Sequence, residues 1–303
     1  MLELAIKIDV DTERGTRVGV PDLLKLFEEF KIQATFLFSL GPDNTGRAIK
    51  RIFRPGFFQK VSRTNIVELY GFKTLTNGVL RKGPHIGKCH GNIMRQTKAK
   101  GHEVGIHCYD HIKWQDGLSK MTEAETRVEV TKACNVFKEV FSQPAQTMGA
   151  AGWQANRNSL TAYDDSGFLY ASDARGTSPF FPKSGNKTFK TLQIPTTLPT
   201  LDELIGRPEY PLDSLVDHYL SLIKPNIINT LTIHAELEGM NYLAWFRSFL
   251  EKAVANKISF ITVESIAKKA LMNKNKIISA QLIQGCVDGR SGTLAVQGDV
   301  IDF

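Results

Sequence analysis

The sequence predicts an α/β protein of one catalytic domain, a parallel-stranded barrel closed by helices. Three observations carry that expectation: eight short apolar or alternating runs along the chain, helical periodicity between most of them, and a length of 303 residues that one barrel can occupy whole. Parallel neighbours need a crossover connection, so strand and helix in alternation calls for a parallel sheet.

The elements follow in order. LAIKID (4–9) reads as the first strand, and PDLLKLFEEF after it sets Leu23, Leu24, Phe27 and Phe30 on one helical face. ATFLFSL (34–40) and EVGIHCY (103–109) are the next two strands. TEAETRVEVTKACNVFKEVF starts with Thr122 and Glu125 in capping-box spacing and repeats Val128, Val130, Cys134, Phe137 and Val140. QTMGAAG (146–152), FLYASDA (168–174) and TLQIPTT (191–197) are short strands. LDSLVDHYLSLI and NYLAWFRSFLEKAVAN form two more amphipathic helices around NTLTIHAE (229–236), and ISFITV (258–263) is the last strand of the series. The barrel is expected over residues 1–272, with 50–100 as a basic, aromatic insertion for membrane or substrate; 273–303 is an extension whose two apolar runs around VDGRSG form either a hairpin or a tail.

Composition excludes several classes. With 42% hydrophobic and 23% charged residues the chain is not disordered, and no run of about 18 apolar residues offers a transmembrane helix. The chain enters LAIKIDV almost at once, leaving no signal peptide, so a cytoplasmic location is expected. The four cysteines form no C-x-x-C pair and read as reduced thiols. The net charge of +7 is concentrated: Lys50, Arg51, Arg54, Lys60, Arg63, Lys73, Arg81 and Lys82 face one acid, Glu68, among Phe53, Phe57, Phe58, Tyr70 and Phe72. Such a segment suits an anionic membrane surface, and by its composition alone it suits nucleic acid too.

In a barrel of this kind chemistry collects where the strands end. Asp9 and Asp11 close the first strand, His107 and His111 the third, Asp173 the fifth and His234 a late one. His107 and His111 stand four apart, but Cys108 holds the place where zinc-protease helices carry Glu, so their spacing alone leaves them as strand-end residues. Two His and one Asp nevertheless match the ligand set of a catalytic divalent site, with a second carboxylate as base and another histidine as acid.

IDVDT, ATFLF, HCYDH and TIHAE resemble the motif series of the NodB-type polysaccharide deacetylases, carbohydrate esterase family 4. The longer set DVDTERGTRVGVP, SLGPDNTGR, LYGF, HEVGIHCYDH, AAGW, SDARG, QIPTTLPTLDELIGR and TIHAELEG resembles, over residues 1–272, the members of that family that deformylate a lipid-linked amino sugar. The resemblance implies a distorted (β/α)7-type barrel. It implies hydrolysis of the N-formyl group of 4-deoxy-4-formamido-L-arabinose on undecaprenyl phosphate, at the cytoplasmic face of the inner membrane and with no nucleic-acid partner. Lipid A modification and polymyxin resistance would follow.

By the same resemblance Asp9 is the general base, and Asp11, His107 and His111 hold one divalent ion (zinc, manganese or cobalt). His234 protonates the leaving amine and Asp173 orients it. Where the family carries Arg-Pro in its third motif, this chain reads AAGWQAN; Gln154 cannot supply that charge, and Arg175 and Arg14 are the candidates to orient Asp9. Arg14, Arg17 and Arg47 are expected at the substrate phosphate, Asp110 beside the metal or substrate, Trp153 on the sugar, and Glu236 and Glu238 at the sugar or product amine. Two other readings share these residues: a deacetylase of N-acetylated glycans such as peptidoglycan or chitooligosaccharide, and a non-enzymatic barrel that binds nucleic acid or carbohydrate.

Overall fold

A computed structural model describes residues 2–48 and 74–300; most of the basic aromatic stretch, 49–73, lies outside the described residues. The eight strand-like runs all form strands. Strand β1 (Glu3–Val10) is buried at every position but its first, as a strand covered on both faces must be. The chain continues through helix α1 (Val20–Phe30) and β2 (Thr35–Ser39) to helix α2 (Ile86–Ala99) and β3 (Glu103–Cys108). Helix α2 was not legible as an element. It is the crossover that two parallel neighbours require, and it occupies part of the stretch expected as an insertion.

Helices α3 (His111–Gly117) and α4 (Glu123–Phe141) precede β4 (Thr147–Met148), α5 (Arg157–Ser166) and β5 (Tyr170–Ala171). Helix α4 carries the expected capping box at Thr122 and Glu125. Its buried face differs from the valine pattern: Val128 is 49% exposed, while Glu129, Ala133 and Val136 are buried. Strands β6 (Phe180–Ser184), β7 (Lys187–Thr188) and β8 (Leu192–Gln193) follow, then α6 (Leu201–Leu204), α7 (Leu212–Leu222), β9 (Thr230–His234), α8 (Leu243–Ala255), β10 (Ser259–Ile261) and α9 (Val263–Met272). The last two strands, β11 (Ile278–Gly285) and β12 (Leu294–Val300), pair antiparallel.

One curled sheet runs β10-β1-β2-β3-β4-β5-β8-β6-β11-β12, with β9 also on β1. From β10 and β9 through β1 to β8 every neighbour is parallel, so all these strands end on one side. The curl is drawn together where the N–H groups of Thr197 and Leu198 donate to the Thr230 carbonyl. Beyond β8 the sheet leaves the barrel: β6 is antiparallel to β8, and β11 lies parallel on β6. Helices bury their apolar faces outside the sheet, where Phe27 of α1 meets Phe36 of β2 and Phe246 of α8, each with ring centroids 6.0 Å apart. Among the described residues no helix is long and apolar enough to cross a membrane.

At the end opposite the polar strand ends, Glu103 starts β3 and accepts hydrogen bonds from Thr35, Tyr170 and the Glu264 N–H. Burial outweighs these donors and raises its pKa from 4.5 to about 7. A carboxyl that binds its proton more tightly folded than unfolded contributes stability that is complete below about 4.5 and lost as pH rises through about 7. Glu103→Gln removes this titration and keeps an acceptor. Urea unfolding at pH 5 and pH 8 is therefore expected to show a smaller loss of stability with rising pH in the variant; equal losses would place the titration elsewhere.

Candidate active site

The parallel register sets the site. Asp9 of β1 stands directly opposite His234 of β9, and opposite Leu37 of β2 on the other side. Two residues on, Asp11 leaves the strand, and β3 brings His107 beside it. His111 is the first residue of α3, whose N-cap is Asp110: the Asp110 carboxylate accepts from the Lys113 N–H at 3.0 Å and from Asn44 at 2.6 Å. Asp110 therefore fixes the turn that aims His111, which is a capping role.

Asp11 Oδ1 lies 3.1 Å from His107 Nε2, and Asp11 Oδ2 lies 3.4 Å from His111 Nε2. One ligand atom from each of the three falls within 4.8 Å of the others, as donors around a common ion do. Asp11 Oδ1 is buried without a hydrogen-bond partner in spite of its neighbour at 3.1 Å, so the pair converges on a point rather than bonding to each other. These residues fit a divalent cation. Burial opposes charge on Asp11, yet His111 and His107 hold its carboxyl well below the usual range. Burial likewise disfavours a charged His107, but Asp9 and Asp11 raise its pKa.

Asp9 is 2% exposed, with Oδ1 3.8 Å from His107 Nδ1 and without a hydrogen bond. The cation against it is Lys7, whose Nζ lies 3.6 Å from Asp9 Oδ2 and donates to the Ser172 carbonyl at 3.1 Å. Lys7 is 1% exposed; burial lowers its pKa against the pull of Asp9 and Asp173. Arg175 instead holds Glu203 at 2.6 Å and the Leu198 carbonyl. The signal for Lys7 was in LAIKIDV: a lysine in an apolar strand, two residues before Asp9, shares its face.

Asp173 is not brought to His234 by a hydrogen bond. Its Oδ1 accepts from the Ala150 N–H at 2.6 Å and its Oδ2 from Gln193 at 2.9 Å, so it ties the ends of β4, β5 and β8 together. Burial raises its pKa to about 6. His234 keeps a buried Nδ1 without a partner, and the Trp153 ring stands beside it at 6.3 Å and 75°.

Glu236 and Glu238 bond to backbone. Glu236 Oε1 accepts from the N–H of Asp11 at 3.1 Å, and from the N–H and hydroxyl of Thr12 at 2.9 and 2.7 Å. Gly15 makes room for it, since a Cβ there would stand 1.9 Å from that oxygen. Glu238 accepts the His234 N–H at 2.9 Å. Among the arginines, Arg47 lies 4.0 Å from Asp110 and is half-exposed; Arg17 is exposed and pairs with Glu13 at 2.9 Å; Arg14 immediately precedes the helical turn Gly15–Gly19.

A curled parallel sheet wrapped by helices, with carboxylates and histidines gathered at its strand ends, defines the class as a hydrolase-type α/β barrel. The chain belongs to the polysaccharide deacetylase family, which residues 10–171 match. It is a hydrolase that acts on an amide C–N bond. A protein of Shewanella sediminis named “Probable 4-deoxy-4-formamido-L-arabinose-phosphoundecaprenol deformylase ArnD” is 37% identical over 99% of this chain and 96% of its own length. One of the same name from Wigglesworthia glossinidia brevipalpis is 34% identical over 95% of this chain and 99% of its own. The 99% coverage takes in residues beyond 272, which the sequence motifs had left outside the resemblance. A structure described as a polysaccharide deacetylase from Mycobacterium smegmatis shares the fold, with a TM-score of 0.64, 17% identity and 94% of each chain covered.

Lys7→Met is expected to retain the metal and to lower turnover about 10- to 100-fold, because Asp9 would keep its place but lose its cation. Metal analysis together with turnover numbers checks this. Unchanged turnover would reduce Lys7 to a buried strand residue.

Proposed function

We propose that the protein hydrolyses the N-formyl group of 4-deoxy-4-formamido-L-arabinose carried on undecaprenyl phosphate, releasing formate and the amino sugar. The observation that carries the reading is the Asp11–His107–His111 cluster with Asp9 and His234 at its side, in a chain alike over nearly its whole length to proteins named as such deformylases. Asp11, His107 and His111 would hold a divalent ion, zinc, manganese or cobalt, whose chemistry is to polarise a carbonyl and acidify water. Asp9 takes the proton of the attacking water as its oxygen bonds to the formyl carbon. His234 gives a proton to the nitrogen as the C–N bond breaks, and the formyl carbon leaves as formate. Asp173 acts at one remove, by holding the ends of β4 and β8.

An assay of the purified chain on the formamido-arabinose phosphoprenol, with mass detection of the product, tests this directly. Asp11→Ala and His107→Ala are expected to lose metal and activity together. Asp9→Asn keeps the metal and loses turnover, and His234→Ala lowers turnover more than affinity. Acetate release from N-acetylated glycans in place of formate would move the assignment to a deacetylase, and metal retained in a His107→Ala, His111→Ala double variant would sink the site as drawn.

The same reading gives a role to the basic segment from Lys50 to Lys82, which docks the enzyme on anionic lipid at the cytoplasmic face of the inner membrane, where the carrier keeps its sugar-phosphate at headgroup level. Each Lys or Arg near such a surface is worth about 1 kcal/mol. The amino sugar would serve lipid A modification and polymyxin resistance. Charge reversal at Arg51, Arg54, Lys60 and Arg63 is expected to release the protein from anionic vesicles and to slow turnover of the lipid-linked substrate while sparing a short-chain analogue. Equal losses on both substrates would assign the segment to the site itself.

A further inference from the structure

The hairpin of β11 and β12 is joined to the barrel at the candidate site. Its strand β11 extends β6, and β12 meets the segment after β5, where the Arg175 N–H donates to the Ala295 carbonyl at 3.0 Å and the Gln297 N–H to the Arg175 carbonyl at 2.8 Å. The segment after β4 is gripped from the same side. Gln154 Nε2 donates to the Thr293 carbonyl at 2.7 Å, and Gln284 Nε2 to the Ala155 carbonyl at 3.0 Å.

Between those two bonds the hairpin turn delivers Arg290. Its guanidinium carbon stands 4.4 Å from the Trp153 ring centroid, and its Nη1 lies 3.2 Å from Glu203 Oε1 and 3.9 Å from Asp202 Oδ2. The turn is held in place on its other side. A Cβ at Gly289, where φ is +80°, would stand 2.2 Å from the Glu203 carbonyl oxygen, and Asp288 pairs with Arg207 at 2.8 Å. Glu203 is fully buried and receives Arg175 on the same oxygen, so it anchors both guanidinium groups that lie over the tryptophan.

Trp153 needs such a clamp. It has a left-handed backbone, φ 51°, directly after Gly152 at φ 61°, a conformation that an L-residue keeps only when its surroundings impose it. Its ring is 2% exposed and faces His234. We propose that the C-terminal hairpin is a working part of the active site, with Arg290 as the positioning residue that holds Trp153 in its left-handed pose packed against His234. The identity of the sugar rests on the deformylase reading; the clamp does not.

The test uses the full-length chain with its metal, comparing wild type, Arg290→Ala and Arg290→Lys. Acrylamide quenching of Trp153, isolated by difference against Trp153→Phe, reads the clamp without any substrate. Quenching is expected to rise in Arg290→Ala and to return toward wild type in Arg290→Lys, which restores a cation over the ring. Metal content is expected to stay at the wild-type level, because Asp11, His107 and His111 do not bond to Arg290. On the formamido-sugar substrate kcat is expected to fall about tenfold in Arg290→Ala with a smaller change in KM, and Arg290→Lys to recover part of it. Unchanged quenching overturns the clamp whatever the substrate proves to be, and raised quenching with an unchanged kcat overturns its part in turnover. A wild-type enzyme inactive on the formamido-sugar would sink the deformylase reading, with the quenching result still deciding the clamp.

Discussion

Buried charge at the end of β1 is the constraint on which the rest of the structure depends. Lys7, Asp9, His107 and Asp173 are each 2% exposed or less. An isolated ion in such a place costs several kcal/mol, so each must meet its partner across a different strand. Lys7 reaches the Ser172 carbonyl, Asp9 faces His107, and Asp173 takes the Ala150 N–H and Gln193. A one-residue slip of β1 against its neighbours would turn Lys7 and Asp9 out of the barrel and leave the others unpaired. The sheet register is thus specified by electrostatics as well as by the apolar core.

The loops beyond the strands obey the same logic. After β9 the chain reads HAELE, and both glutamates turn back to satisfy backbone donors: Glu236 on Asp11 and Thr12, Glu238 on His234. The segment that carries Asp11 is therefore held by the segment that follows His234, and Gly15 lets the two approach. Burial keeps Glu238 up to about 8, and burial with the nearby Asp11 raises Glu236 as well. These carboxyls are costly to bury, and they give a site whose parts cannot move independently.

Much of this was legible in the sequence because it rests on local periodicity. The eight parallel strands each fall in an apolar or alternating run, and the α1, α4, α7 and α8 helices show their faces in spacing and caps. The convergence of Asp9, Asp11, His107, His111 and His234 followed from strand ends in a barrel. What periodicity could not reach was pairing between distant segments. Gln193 as partner of Asp173, Glu203 as anchor of Arg175, and Lys7 in place of an arginine depend on which side chains meet across the sheet. Helix α2 was hidden for another reason: its run IGKCHGNIMRQTKA holds two glycines and few apolar residues, and His90 inside it departs from helical geometry.

The segment after β4, AAGWQAN, brings no cation to Asp9. Here the cation comes from β1 itself, two residues before Asp9, where the strand fixes the distance without help from any loop. That uncharged segment turns through two successive left-handed residues, Gly152 and Trp153, and presents an indole beside His234. A left-handed tryptophan is not self-supporting. The Trp114 indole N–H donates to the Gln154 carbonyl from one side, and the C-terminal hairpin supplies Arg290 and the Thr293 carbonyl from the other. The first strand and the hairpin at the end of the chain thereby meet at one ring, since Lys7 Nζ stands 5.3 Å from the Trp153 centroid and Arg290 stands 4.4 Å from it.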